Sequence, residues 1–187
     1  MTTITREDLV GVWDLVRYFV RLPDGTELAP LGDDAVGRIG YTADGYMFGF
    51  MARARRAPFA SVDRLLATPA EKAAAFDDCV SYAGRWTLRE DGLVVHHIEV
   101  SLLPNWTGQA QLRIPVADEQ GLELVAHVGE GAARRSAIAR WRRASGAIWA
   151  AACGGQGADL GGPTLQAAAG ECAPQGAMST SPITASS

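Results

Sequence analysis

Two adjacent histidines, His96 and His97, followed by Glu99 and Ser101, hold the chain's best material for acid–base chemistry. A strand sends successive side chains to opposite faces, so in a hollow sheet one of the pair faces inward and the other outward. His96 shares its face with Val94, Ile98 and Val100, which makes it a lone titratable group in an apolar wall, the setting in which a pKa moves. His97 shares the other face with Glu99 and Ser101, a polar row suited to solvent or to the floor of a polar cavity. Either histidine can act as a general acid or base, and either can equally be a structural group with satisfied hydrogen bonds. His97-x-Glu99 offers a metal only two ligands without an evident third, so no metal site is read here.

Gln111 and Arg113 alternate with Leu112 and Ile114, so the two polar side chains fall on one face. Pointing inward they would hold a carbonyl, an enolate or a carboxylate; pointing outward they are solvated surface. Asn105-Trp106 follows a strand-breaking Pro104, where a loop at a barrel mouth would present an amide and an indole to a ligand, or fold Trp106 back on the core. Tyr46, Tyr82 and Trp86 offer apolar walls and phenolic protons, or core filling. Arg53, Arg55 and Arg56 form a basic cluster that suits an acidic partner or a solvated loop. No Gly-x-Ser-x-Gly is present, Cys79 has no nearby histidine in sequence, and no glycine-rich fingerprint follows a strand. No cofactor is therefore called for.

The elements that must position these groups are announced by turns. Asp24-Gly25, Asp44-Gly45 and Asp91-Gly92 sit between alternating apolar runs, the signature of tight hairpins. Strands are expected over residues 11–22, 26–29, 36–42, 46–51, 82–89, 93–103, 111–116, 122–128 and 136–142. The first alternates Trp13, Leu15, Arg17 and Phe19 against Val12, Asp14, Val16, Tyr18 and Val20. Thr68-Pro69-Ala70-Glu71 is a capping box with proline at the first helical position. It predicts one helix from about Pro69 to Cys79, with Ala73, Phe76 and Val80 on its apolar stripe. The fold class that follows is all-β, an antiparallel barrel of about eight to ten strands with one short mid-chain helix.

A chain of 187 residues, 48% hydrophobic and 20% charged, suffices for one domain with a real core. A net charge of −4 gives no footprint for nucleic acid. No run reaches the roughly 18 apolar residues of a spanning helix, so no membrane segment is expected. Three irregularly spaced cysteines, Cys79, Cys153 and Cys172, fit a reducing compartment, and with a polar N-terminus they predict a cytoplasmic protein. The barrel is expected over residues 9–145. Residues 146–187 collapse into Ala, Gly, Ser, Thr and Pro with only Asp159 and Glu171 charged, a low-complexity tail expected to lack stable packing. Nothing in the sequence decides between a monomer and a homodimer.

Leu9-Val10-Gly11-Val12-Trp13, Gly40-Tyr41-Thr42-Ala43-Asp44-Gly45-Tyr46-Met47, Tyr82-Ala83-Gly84-Arg85-Trp86 and Ser101-Leu102-Leu103-Pro104-Asn105-Trp106 together resemble the lipocalin-like domain proteins of bacteria and fungi. The resemblance covers about residues 9–143 and implies a small calycin-type barrel. It also implies that Trp13 plugs the closed end under an arginine of the last strand, with Arg140 and Arg142 as candidates. Some barrels of broadly this kind are cyclases or isomerases in polyketide pathways. The leading expectation is a barrel that binds a small, largely apolar molecule in its interior, with residues 53–80 partly covering the mouth. The alternative is a cofactor-free cyclase or isomerase using His96 or His97 with Arg113, and the third is a packed barrel without a ligand. The binding reading places Tyr82, one histidine and Arg113 on one cavity, with Trp106 near its rim.

Overall fold

The turn-and-alternation pattern closes into a barrel. The structure, a computed structural model, describes residues 4–145; the expected low-complexity tail lies outside the described residues. The chain opens with a one-turn helix α1 (Arg6–Leu9), followed by β1 (Gly11–Arg21), the two-residue β2 (Glu27–Leu28), β3 (Val36–Tyr41) and β4 (Tyr46–Ala52). After a loop come α2 (Pro69–Asp77), β5 (Cys79–Leu88), β6 (Val94–Ser101), β7 (Ala110–Asp118), β8 (Gly121–Val128) and β9 (Arg135–Arg143). All pairings are antiparallel, in the order β1-β3-β4-β5-β6-β7-β8-β9, and β9 returns to β1. Closure abolishes free edges around an eight-stranded wall, while β2 only extends one end of β1.

Two details of the helices differ from expectation. Thr5 and Asp8 form a second capping box, which makes α1 and was not read from the sequence. Helix α2 begins as expected, with Thr68 accepting from the Glu71 amide and the Glu71 carboxylate accepting from the Thr68 amide. It buries no residue, however, and Cys79 and Val80 already belong to β5. The expected Ala73–Phe76–Val80 stripe is thus split between an exposed helix and a strand.

One end of the barrel is shut by large side chains. Trp13 donates its indole N–H to the Leu9 carbonyl at 2.9 Å, and the guanidinium of Arg143, its direct neighbour across β1–β9, stacks 4.4 Å from the ring centre. Arg143 also donates to the carbonyls of Val10 and Asp8. The covering arginine is therefore Arg143. Arg140 pairs with Glu123, and Arg142 stands opposite Asp14.

Two irregularities re-aim the faces. The β1–β9 register shifts between Leu15 and Arg17, so beyond it Tyr18, and not Arg17 or Phe19, packs against the main core. Phe19 is buried instead beneath the guanidinium groups of Arg17, Arg21 and Arg140. In β5–β6, Ala83 pairs with Val100 but Gly84 pairs with Ile98, which leaves Glu99 as the extra residue of a bulge. A Cβ on Gly84 would collide with the His97 carbonyl oxygen, so this bulge needs glycine.

Candidate functional site

The largest inward-facing residues gather at the closed end, and toward the open end small ones are interspersed with larger ones. Trp13, Trp86, Leu122 and Trp141 fill the closed end. Continuing the inward alternation toward the other end, β4 offers Gly49, β8 offers Ala126 and β9 offers Ala137. Larger side chains, Tyr18, Met51 and Tyr82, stand among them on the same interior.

His96 is the inward histidine and is completely buried. Its Nε2 lies 2.7 Å from the Tyr41 hydroxyl and its Nδ1 lies 3.0 Å from the Tyr82 hydroxyl. The chain of contacts continues: Arg113 Nη2 donates to the Tyr82 oxygen at 3.2 Å and to Gln111 Oε1 at 2.6 Å, while Nη1 donates to the Leu112 carbonyl. Gln111, Arg113, Tyr82, His96 and Tyr41 thus form one hydrogen-bonded line across three strands of wall and onto β3. The register explains it, since His96 pairs with Trp86 on one side and Gln111 on the other, and Tyr82 stands two inward positions along β5 from Trp86.

Burial, then the Arg113 guanidinium, then His97 push the His96 imidazole well below its ordinary pKa, so it is neutral. Desolvation likewise pushes the Tyr41 phenol well up, with Tyr82 adding and Arg113 opposing. Tyr18, packed against the same core, is raised by desolvation, with Arg113 opposing. Arg113 forms no ion pair with any described carboxylate.

The other sequence-derived site residues distribute as follows. His97 is on the outer face, 3.0 Å from the Thr87 hydroxyl, because alternation turns it away from His96. Tyr46 is also outside, since Met47 takes the inward position; Arg85 donates to its hydroxyl and stacks 4.6 Å from its ring. Trp86 faces inward but belongs to the closed end, with its N–H on the Thr42 carbonyl, Arg6 4.3 Å over its ring and Tyr41 edge-on at 5.0 Å. The β5–β6 bulge puts Val100 outside and sets Ser101 opposite Tyr82. Ser101 ties down the following turn by accepting from the Leu103 amide. Asn105 is exposed on that turn, and its amide bonds to no described residue.

Trp106 ends the turn and meets Tyr82 edge-on, with ring centres 5.7 Å apart and planes at 80°. It also lines a hollow of about 230 Å³ at the open end, together with Phe76, Val80, Leu102 and Leu103. The hollow is mostly apolar, with Asp77 and Ser81 also on its lining, and Tyr82 meets its Trp106 wall. A larger groove of about 370 Å³ runs elsewhere, beside Val16, Val116 and the Arg140–Glu123 pair, and touches none of the polar line. The polar line can hold an oxygen acceptor, whereas the outer groove carries an already satisfied ion pair with Asp118 and Gln120 beside it.

Tyr41 and Tyr18 were missed in the sequence reading. Alternation with Ile39 does put Tyr41 on the apolar face of its strand, but its partner lies 55 residues away, and only the register of four strands brings them together.

The family described as a lipocalin-like domain matches residues 10–144. Among solved structures, a lipoprotein YedD from Klebsiella pneumoniae is similar over 83% of this chain and 95% of its own, at 10% identity and a TM-score of 0.33. No curated protein matches the chain.

Proposed function

Since the chain belongs to the lipocalin-like domain family, we propose that its barrel binds a small, largely apolar molecule and anchors that molecule's carboxylate or carbonyl on Arg113 and Tyr82. The observation that carries this reading is the guanidinium of Arg113, part-buried on the inner wall with no described counter-charge. A charge withdrawn from water is costly unless paired. Arginine has five N–H donors, and three bonds from Arg113 are made to described residues. The remaining donors suit a carboxylate, while the apolar hollow bounded by Trp106, Leu102 and Val80 suits a hydrocarbon body. The domain that does this is residues 9–145, and the irregular cysteines favour a reducing, cytoplasmic setting.

Decanoate and decan-1-ol, matched in chain and differing in head group, test the anchor by titration calorimetry. Arg113→Ala is expected to weaken decanoate by about 1.5–3 kcal/mol, the range for a hydrogen bond to a charged group, and to leave decanol nearly unchanged. Equal losses for both ligands would refute the anchor.

The same pair of donors favours a second reading, a cofactor-free isomerase or cyclase on a polyketide-like intermediate. Two donors on one oxygen stabilise an enolate as it forms. Among the described residues no carboxylate joins the polar line to act as base, so orientation of a flexible substrate would supply most of the acceleration. Recovery of an altered polyketone after incubation would support catalysis; recovery of unchanged material from a saturated site would leave binding alone.

A further inference from the structure

We propose that Tyr41, acting through His96, fixes the hydrogen of Tyr82 away from the imidazole and into the barrel, so that Tyr82 and Arg113 together form a two-donor site for one carboxylate oxygen. This rests on the functional reading for its ligand, but its hydrogen-bond arrangement stands in the free protein.

The argument is one of donors and acceptors. A neutral imidazole has one donor nitrogen and one acceptor nitrogen, and both are occupied by phenols. Two arrangements exist. If Nε2 carries the hydrogen, it donates to the Tyr41 oxygen, and Tyr41's own O–H is left without a described acceptor. If Nδ1 carries it, Tyr41 donates to Nε2, Nδ1–H donates to the Tyr82 oxygen, and the Tyr82 hydrogen is the one left over.

Burial decides between them. Tyr41 is 2% exposed, and among the described residues its hydroxyl's only hydrogen-bond partner is the fully buried His96. An orphaned O–H there meets neither water nor ligand. Tyr82, 9% exposed, borders the half-buried Gln111, Arg113 and Trp106, on the side that carries the inward Gly49. Its leftover hydrogen is available to whatever enters. The Nδ1–H arrangement is therefore assigned.

In that arrangement two donors, Nδ1–H and Arg113 Nη2–H, converge on the Tyr82 oxygen and polarise its O–H toward a further acceptor. His96 is then a positioning residue that touches no ligand, because both its nitrogens are taken. Tyr41 positions it in turn. The group that meets the ligand is the phenol of Tyr82, beside the unused N–H groups of Arg113, and the ligand class is a carboxylate on an apolar chain.

Long-range proton–nitrogen NMR of the ligand-free protein reads the tautomer directly. The wild type is expected to show His96 protonated at Nδ1 only, and Tyr41→Phe, which removes the donor to Nε2, is expected to shift the population toward Nε2–H. Protonation at Nε2, or at both nitrogens, near neutral pH overturns the inference whatever the ligand does. For the site itself, Tyr82→Phe is expected to weaken decanoate at least tenfold and Tyr41→Phe several-fold, both leaving decan-1-ol unchanged. An undiminished decanoate affinity in Tyr82→Phe overturns the two-donor site while leaving the Arg113 anchor intact. Failure of wild-type protein to bind decanoate overturns the anchor and the site together. Near-ultraviolet circular dichroism of each phenylalanine variant confirms that the aromatic interior is retained.

Discussion

A neutral histidine sealed between two phenols makes stability depend on pH in a calculable way. His96 has its folded pKa well below the ordinary imidazole value, so as pH falls the unfolded chain takes up a proton that the folded protein refuses. The stabilisation is therefore full above the unfolded pKa of about 6.5 and is lost as pH falls from there toward the folded value. Between about pH 7.5 and about pH 5.5 the unfolded imidazole goes from roughly one-tenth to roughly nine-tenths protonated, which integrates to a loss of about 1.4 kcal/mol. With a urea dependence of about 1–3 kcal/mol per molar, the unfolding midpoint should fall by roughly 0.5–1.4 M. The interval stops above the carboxylate range because Asp8, Asp24, Glu27, Asp34 and Glu71, all held low by hydrogen bonds, add their own losses in more acidic solution. His96→Gln, whose amide can still meet both hydroxyls, isolates the contribution: its stability is expected to lack the fall. A wild-type midpoint that does not move, or a glutamine variant that keeps the whole fall, would refute the assignment of a neutral, enclosed imidazole.

Four further outcomes follow from particular contacts and a fifth from composition. Gly84→Ala sets a methyl against the backbone of the β5–β6 bulge and is expected to cost about 1–3 kcal/mol or more in urea unfolding. Gly40→Ala meets only the half-exposed ring of Phe48, which can swing away, and should cost well under about 1 kcal/mol. Arg143→Ala loses the stack on Trp13 and two carbonyl contacts and is expected to destabilise by about 1–2 kcal/mol. Arg140→Ala breaks an exposed pair and should stay below about 1 kcal/mol in the same measurement. A chain ending at Ser145 is expected to melt within about 2 °C of the full one, since residues 146–187 carry few large apolar groups; a larger drop would show that they contribute packing.

The hairpins were legible because Asp-Gly is a local signal: the turns at Asp24-Gly25, Asp44-Gly45 and Asp91-Gly92 all connect antiparallel neighbours. The helix at Pro69 was legible for the same reason, its capping box lying within four residues. The inward histidine followed from alternation only in part. Alternation put His96 in an apolar row with Val100, but the bulge at Glu99 sends Val100 outside and brings Ser101 round to Tyr82. Bulges leave a weak trace in sequence, here no more than Gly84. The register shift after Leu15 similarly replaced Arg17 with Tyr18 on the inner wall. What no local pattern carried was partnership: Tyr41 to His96 and Arg113 to Tyr82 are set by register summed across several strands.

That polar line also bears on whether the barrel is a container or a packed core. A core built only for stability gains little from an arginine on its inner wall, because replacing buried charge with apolar side chains is often neutral or stabilising. The closed end comes nearer to that rule, with the indoles of Trp13 and Trp86 capped by carbonyls of Leu9 and Thr42 and arginines stacked on the same two rings, although the buried Trp141 N–H has no described partner. The open end departs from it. There Gly49, Ala126 and Ala137 take inward positions that large side chains could fill, and Arg113 stands beside them with no described counter-ion. Small residues and a charge with no described partner on one stretch of wall make poor packing but suit an apolar molecule with an anionic end. The cost of that arrangement is carried by the Trp-rich closed end, and the sealed Tyr41–His96 pair holds the one donor that must face the ligand.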